Sequence, residues 1–93
     1  MSIETVPFDA ADHLKTEQDQ VDFIADALKE GDPAYVAHAL GIVARARGMA
    51  DVAKGAGITR EALYRALSAT GDPKLSTVLG VTKALGIKLT VAA

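Results

Sequence analysis

Apolar positions recur with a helical period through most of the chain and turn to strict alternation only near its end. Between Glu17 and Glu30, the side chains Val21, Ile24, Ala25 and Leu28 return at helical spacing, which predicts an amphipathic helix with those four turned inward. Thr16 followed by Asp19 is an imperfect capping box for its start, and Gly31 is a natural stop. Asp32 and Pro33 then supply an N-cap and a first-turn proline for a second helix expected to reach about Arg45. Val36, Leu40, Val43 and Ala44 make its apolar stripe, and Arg45 and Arg47 place positive charge at its negative end before Gly48.

The triplet Gly71-Asp72-Pro73 repeats the punctuation of residues 31–33, so a further helix is expected there, carrying Leu75, Val78, Leu79, Thr82 and Leu85 up to Gly86. Beyond Gly86 the period changes. Ile87, Leu89 and Val91 alternate with Lys88 and Thr90, which predicts a short half-buried strand over 87–91. A strand needs a partner, and the candidates are the stretch Ile3 to Val6, a second copy of the chain, or another protein. The pattern does not choose among them.

The segment from Met49 to Leu67 reads as two short helices broken at Gly57, the layout of a helix-turn-helix. Ala53 is small enough for two crossing helices to approach, Gly57 permits the turn, Ile58 fills the angle and Thr59 caps the second helix. On that second helix Ala62, Leu63, Ala66 and Leu67 form the inward stripe, leaving Arg60, Glu61, Tyr64 and Arg65 outside. Arginine can donate twice to guanine, glutamate can accept from cytosine, and tyrosine can bond a phosphate or stack. The same residues also admit a plainer role, because Glu61 and Arg65 stand four apart in the order that favours a pair along the helix. A helix-turn-helix can likewise serve as a protein-interaction adaptor that touches no DNA.

Charge is segregated. Residues 1–39 hold nine acidic side chains against two basic ones, a net of −7, while residues 40–74 hold six basic against three acidic, a net of +3. The whole chain of 93 residues nets −2, which excludes a polybasic binder and leaves only a local nucleic-acid surface. The acidic third would steer toward a basic protein, or simply solvate the first helix. Phe8 and Leu14 are expected to pack the N-terminal arm, residues 1–16, onto that helix. Cysteine is absent, so disulfides and thiolate chemistry are excluded. His13 and His38 lie 25 positions apart, no phosphate-binding loop is present, and Gly55 with Gly57 gives only a fragment of a dinucleotide fingerprint, better read as helix ends. The expectation is a protein that is no enzyme, binds no cofactor or metal, enters no membrane and resides in the cytoplasm.

On these residues the chain resembles the antidote (antitoxin) proteins of HigA-like addiction modules, within the lambda-repressor and Cro type of helix-turn-helix domains. The resemblance is carried by Phe8-Asp9 with Leu14, the Glu-Gly-Asp-Pro turn at 30–33, Ala-Arg-Ala-Arg-Gly-Met at 44–49, Thr-Arg-Glu-Ala-Leu-Tyr-Arg-Ala-Leu-Ser at 59–68, and Leu85-Gly86. With it the expected fold is an all-α domain spanning 1–93, five lambda-repressor-like helices to which the alternation at 87–91 adds the short C-terminal strand. The resemblance further implies a homodimer that binds an inverted-repeat operator, represses its own operon and neutralises a RelE/HigB-like toxin. Carried over by position, the DNA-binding residues would be Thr59, Arg60, Glu61, Tyr64 and Arg65, with Ser68 and the loop from Gly71 to Lys74 near phosphates. Where relatives usually open the first helix of the motif with Thr-Gln, this chain has Ala50-Asp51, whose carboxylate would repel a phosphate but suits a helix start.

Overall fold

In a computed structural model, residues 14–68 and 70–92 are described, and they are helical in five segments. These are α1 (Glu17–Glu30), α2 (Pro33–Arg47), α3 (Met49–Ala56), α4 (Arg60–Ala66) and α5 (Leu75–Ala84). The caps explain most of the boundaries. Thr16 Oγ1 accepts from the Asp19 amide at 3.0 Å, Asp32 Oδ1 from Ala34 at 3.1 Å and Thr59 Oγ1 from Ala62 at 3.0 Å, each satisfying an amide that has no partner within its own helix. Helix α2 runs two residues past the expected Arg45, because Gly48, whose amide returns to the Ala44 carbonyl, is where the chain leaves the helix.

Helix α2 is the central element, packed against α1 on one side and α3 on another. Its middle is therefore buried more widely than one stripe, with Ala37, Ala39 and Ile42 joining Leu40, Val43 and Ala44 in the interior, while its first turn, His38 and Arg45 stay exposed. Val52, Leu63, Val81 and Leu85 complete the centre of the core. A fully buried side chain of this size stabilises the fold by about 1.5–3 kcal/mol, so these few residues carry much of it.

Two inward stripes are rotated from those the spacing predicts. In α1 the interior residues are Gln20, Ile24 and Ala27, with Val21 half-buried, while Ala25 and Leu28 are exposed. The rotation is tied to a polar bridge: the Gln20 amide donates to the Leu14 carbonyl at 2.9 Å and its oxygen accepts from Arg47 Nε, and among the described residues no buried polar side-chain atom is left unsatisfied. Arg47 also stands 3.8 Å from Glu17, so it ties the end of α2 to the start of α1 as well as lying near a helix end. In α5 the interior residues are Val81, Thr82 and Leu85, while Leu75 and Leu79 face out. Here α3 and α5 meet through small residues. A methyl group at Gly55 would lie 2.8 Å from the Ala84 methyl, and Gly80 sits against Ala56. Gly55 is thus a contact point inside α3, whereas Gly57 alone is the helix end.

The second Gly-Asp-Pro does not repeat the first. α5 begins only at Leu75 with Lys74 at its cap position and no side-chain cap, because Gly71 is committed elsewhere. A side chain there would collide with the Ala66 carbonyl, so residues 71–74 cross the end of α4 as a loop before the helix can start.

The expected strand over 87–91 does not form: residues 87–92 are irregular in the described chain. The Ile87 amide closes α5 by donating to the Thr82 carbonyl at 2.9 Å, and no backbone hydrogen bond joins Lys88–Ala92 to another described residue. A strand is made by its ladder, and the within-chain candidate, Ile3 to Val6, lies outside the described residues. So does Phe8. Leu14, in contrast, is buried in the core, as expected for the arm.

Candidate nucleic-acid interface

The turn between α3 and α4 consists of Gly57, Ile58 and Thr59, and its geometry follows from three local facts. Gly57 adopts φ 74°, which only glycine takes without strain. The amides of Gly57 and Ile58 return to the carbonyls of Lys54 and Ala53, the paired bonds that terminate a helix at a left-handed residue, and Ile58 tucks against the core. Thr59 then caps α4 from outside. Replacement of Thr59 by alanine is expected to cost about 1 kcal/mol. In a chain of this size that lowers Tm by about 4–8 °C, which a thermal circular-dichroism scan would register.

Helix α4 is seven residues long and is held by one face. Leu63 is fully buried and Leu67 is 5% exposed, with Ala62 and Ala66 half-buried beside them. Thr59, Arg60, Glu61, Tyr64 and Arg65 all lie at the surface, so the outward set expected from spacing is brought together on one ridge. Within it the pairing differs from the expected one. Glu61 and Arg65 do not come within ion-pair distance; instead Arg60 Nη2 donates to the Tyr64 hydroxyl at 3.4 Å, with the guanidinium carbon 5.5 Å from the ring centre. That hydrogen bond raises the Arg60 pKa above its ordinary value, and an arginine is cationic at physiological pH even without such a shift. Stacking an arginine on a tyrosine one turn away orients both, and it leaves Arg65 and Glu61 free to contact a ligand.

The remaining sequence-selected residues flank this ridge. Ser68 is half-buried and donates its hydroxyl to the Arg65 carbonyl at 3.0 Å, which leaves its oxygen only as an acceptor. It can therefore steady the end of α4 but cannot donate to a phosphate without giving up that bond. Lys74 is exposed and lines an open groove of about 480 Å³ with Arg65, Asp72 and Thr70, so two cations face one hollow beside the helix. Asp51 is exposed in the first turn of α3, a favourable site for a carboxylate next to amides that lack helical partners.

Arg45 is the residue that spacing undervalued. It is exposed on α2, and with Tyr64, Leu67 and Ser68 it lines a smaller groove of about 160 Å³ between α2 and α4. Arg47, two positions on, is occupied with Gln20 and Glu17, whereas Arg45 has no ion-pair partner among the described residues. A groove shared across nineteen positions of sequence leaves no local signal, which is why the two arginines look equivalent in the chain. The arrangement is a cationic border, Arg45, Arg60, Arg65 and Lys74, around an aromatic ring and a carboxylate. Such a surface can neutralise phosphates and offer donors and acceptors to base edges.

Comparison with known proteins now bears on the chain as a whole. A family model described as "Probable addiction module antidote protein" matches residues 4–93. The chain belongs to this antidote family. It is 42% identical over 91 residues to an uncharacterized protein of Haemophilus influenzae, covering 98% of this chain and 94% of that one. No solved structure matches. Membership carries with it, in general, a toxin as partner. Among the described residues, no helix of this antidote-family chain is long and apolar enough to cross a membrane.

Proposed function

We propose that the chain is a DNA-binding antitoxin: one helix-turn-helix domain over residues 1–93, of the HigA-like, lambda-repressor/Cro type, that represses its own operon and neutralises a RelE/HigB-like toxin by direct binding. The observation that carries the DNA-binding half is the exposure of Thr59, Arg60, Glu61, Tyr64 and Arg65 together on a short capped helix whose other face is fixed by Leu63 and Leu67. A rigid ridge of this width suits the major groove, with Arg65 and Glu61 toward base edges and Arg45 and Lys74 toward phosphates. Ser68 supports the end of the helix. Two copies related by a two-fold axis would present two such ridges about 34 Å apart, the spacing of an inverted repeat.

The toxin-binding half rests on family membership and on the acidic surface of α1. Asp19, Asp22, Asp26 and Glu30 are all exposed, and a toxin that cleaves mRNA must present cations to its substrate. The role is one of binding, in the cytoplasm, with no cofactor and no catalysis.

Two mixtures test the reading. Titrated with the DNA upstream of its own gene, the protein should shift that fragment in preference to a scrambled one, and binding should weaken steeply with salt, log K falling by about 0.9 per phosphate neutralised per decade. Co-expressed with the adjacent toxin frame, it should co-purify with the product and restore growth. Co-purification with no shift of either DNA fragment would leave a protein-interaction adaptor in place of a repressor.

A further inference from the structure

The antidote-family chain leaves an apolar groove uncovered where α5 meets the residues after it. Leu79, 47% exposed, and Leu89, 39% exposed, stand with Ile87 along an open hollow of about 420 Å³. Lys83 and Lys88 border it. Beside it, the amides of Lys88–Ala92 have no backbone acceptor among the described residues. Alternating apolar side chains along an unpaired row of donors and acceptors make one half of a β-ribbon.

We infer that the chain's own N-terminal segment is the other half: residues 4–8 pair with 87–91, and Val6 and Phe8 cover the groove. Charge selects this occupant. Residues 1–13 carry Glu4, Asp9 and Asp12 and no lysine or arginine, a side-chain net of −3, while after Asp72 the chain carries Lys74, Lys83 and Lys88 and no acidic residue, a net of +3. Opposite signs draw the arm to this groove, and the same charge turns it away from the exposed face of α1, where Asp19, Asp22, Asp26 and Glu30 are gathered. A second copy of 87–91 would instead bring lysines to lysines.

Pattern and length agree with charge. Glu4, Val6 and Phe8 share one face of an extended segment, as Ile87, Leu89 and Val91 do, so the two apolar rows can lie side by side over Leu79. Hydrogen-bonding edges alternate as well. Val6 and Phe8 can turn their amides to 87–91, and Pro7, which has none to give, then falls on the open edge, where a sheet tolerates proline. The arm also starts from the right place. Leu14 is buried in the same core cluster as Ile87, and the eight positions from Leu14 back to Val6 reach about 26 Å when extended. Leu14 thus holds the base of the arm in the core, while Phe8 belongs to the groove and not to α1. Neither DNA nor toxin enters this pairing, which stands or falls apart from the proposed function.

Amide exchange of the full-length protein, read by NMR at two concentrations about tenfold apart, gives the first test. Alternate amides among Lys88–Ala92 should exchange at least about tenfold more slowly than in a free peptide, equally at both concentrations. Phe8→Glu should return them to free-peptide rates, with the helices retained by circular dichroism. A second readout leaves the arm unaltered and exploits the absence of cysteine. A nitroxide on Thr90→Cys should broaden the signals of Val6 and Phe8 more strongly than one on Asp22→Cys, at the exposed face of α1. Free exchange at 88–92 in the wild type, or protection that Phe8→Glu leaves intact, would overturn the proposal. So would protection that grows with concentration, which assigns the groove to a second copy, or broadening from position 22 as strong as from 90, which places the arm along α1. The nitroxide pair decides the matter if Phe8→Glu fails to fold.

Discussion

Replacing Arg65 with alanine is expected to weaken binding to the upstream DNA by about tenfold to a hundredfold, the 1–3 kcal/mol carried by a good two-pronged contact to a base, and to relax the preference at a single position of the site. Arg65 is exposed at the end of α4 and has no ion-pair partner among the described residues, so the loss comes from the contact and not from the fold. Tyr64→Ala should add a comparable loss, because it removes the ring that orients Arg60 as well as its own hydroxyl. Arg45→Ala should behave differently. It lies in the groove beside Tyr64 and faces no base in the proposed arrangement, so the expected result is a uniform weakening on all sequences and a salt slope reduced by about one. Fluorescence anisotropy with cognate and scrambled duplexes at several salt concentrations separates these outcomes.

The largest effect on stability is expected from Leu63→Ala. Leu63 is fully buried on the inner face of α4, where truncation of a leucine costs about 2–5 kcal/mol through lost burial and the cavity left behind. For a chain of this length each kcal/mol moves Tm by about 4–8 °C, so a fall of at least roughly 10 °C should appear in a thermal scan. Operator binding should decline with the folded fraction and return at low temperature, unlike that of Arg65→Ala, which should stay weak at all temperatures.

Much of this molecule is legible in its sequence, and the reasons are local. Thr16, Asp32, Thr59 and Gly57 announce helix ends because their chemistry acts within three or four residues of themselves. The outward set on α4 is legible for the same reason: two leucines and two alanines at helical spacing leave only one way to bury that helix. What escapes local reading depends on residues far apart in the chain. Gln20 turns inward because Leu14 and Arg47 satisfy its amide, and α5 rotates because Gly55 and Ala56 accept only small side chains against them. Gly71 breaks the apparent repeat with residues 31–33 because the end of α4 lies against it. The alternation at 87–91 is a property of the segment, but a strand is a property of two segments, and the second is absent from the described chain.

The most direct measurement is amide chemical-shift mapping of the labelled full-length protein as its upstream duplex is added. The expected result is that the signals of Thr59–Ser68 and the loop 70–74 move, with Arg45 among the responding residues, while those of the acidic helix from Asp19 to Glu30 stay in place. Movement centred on α1 or on the C-terminal residues with α4 silent would contradict the role assigned to the Arg60, Tyr64 and Arg65 ridge.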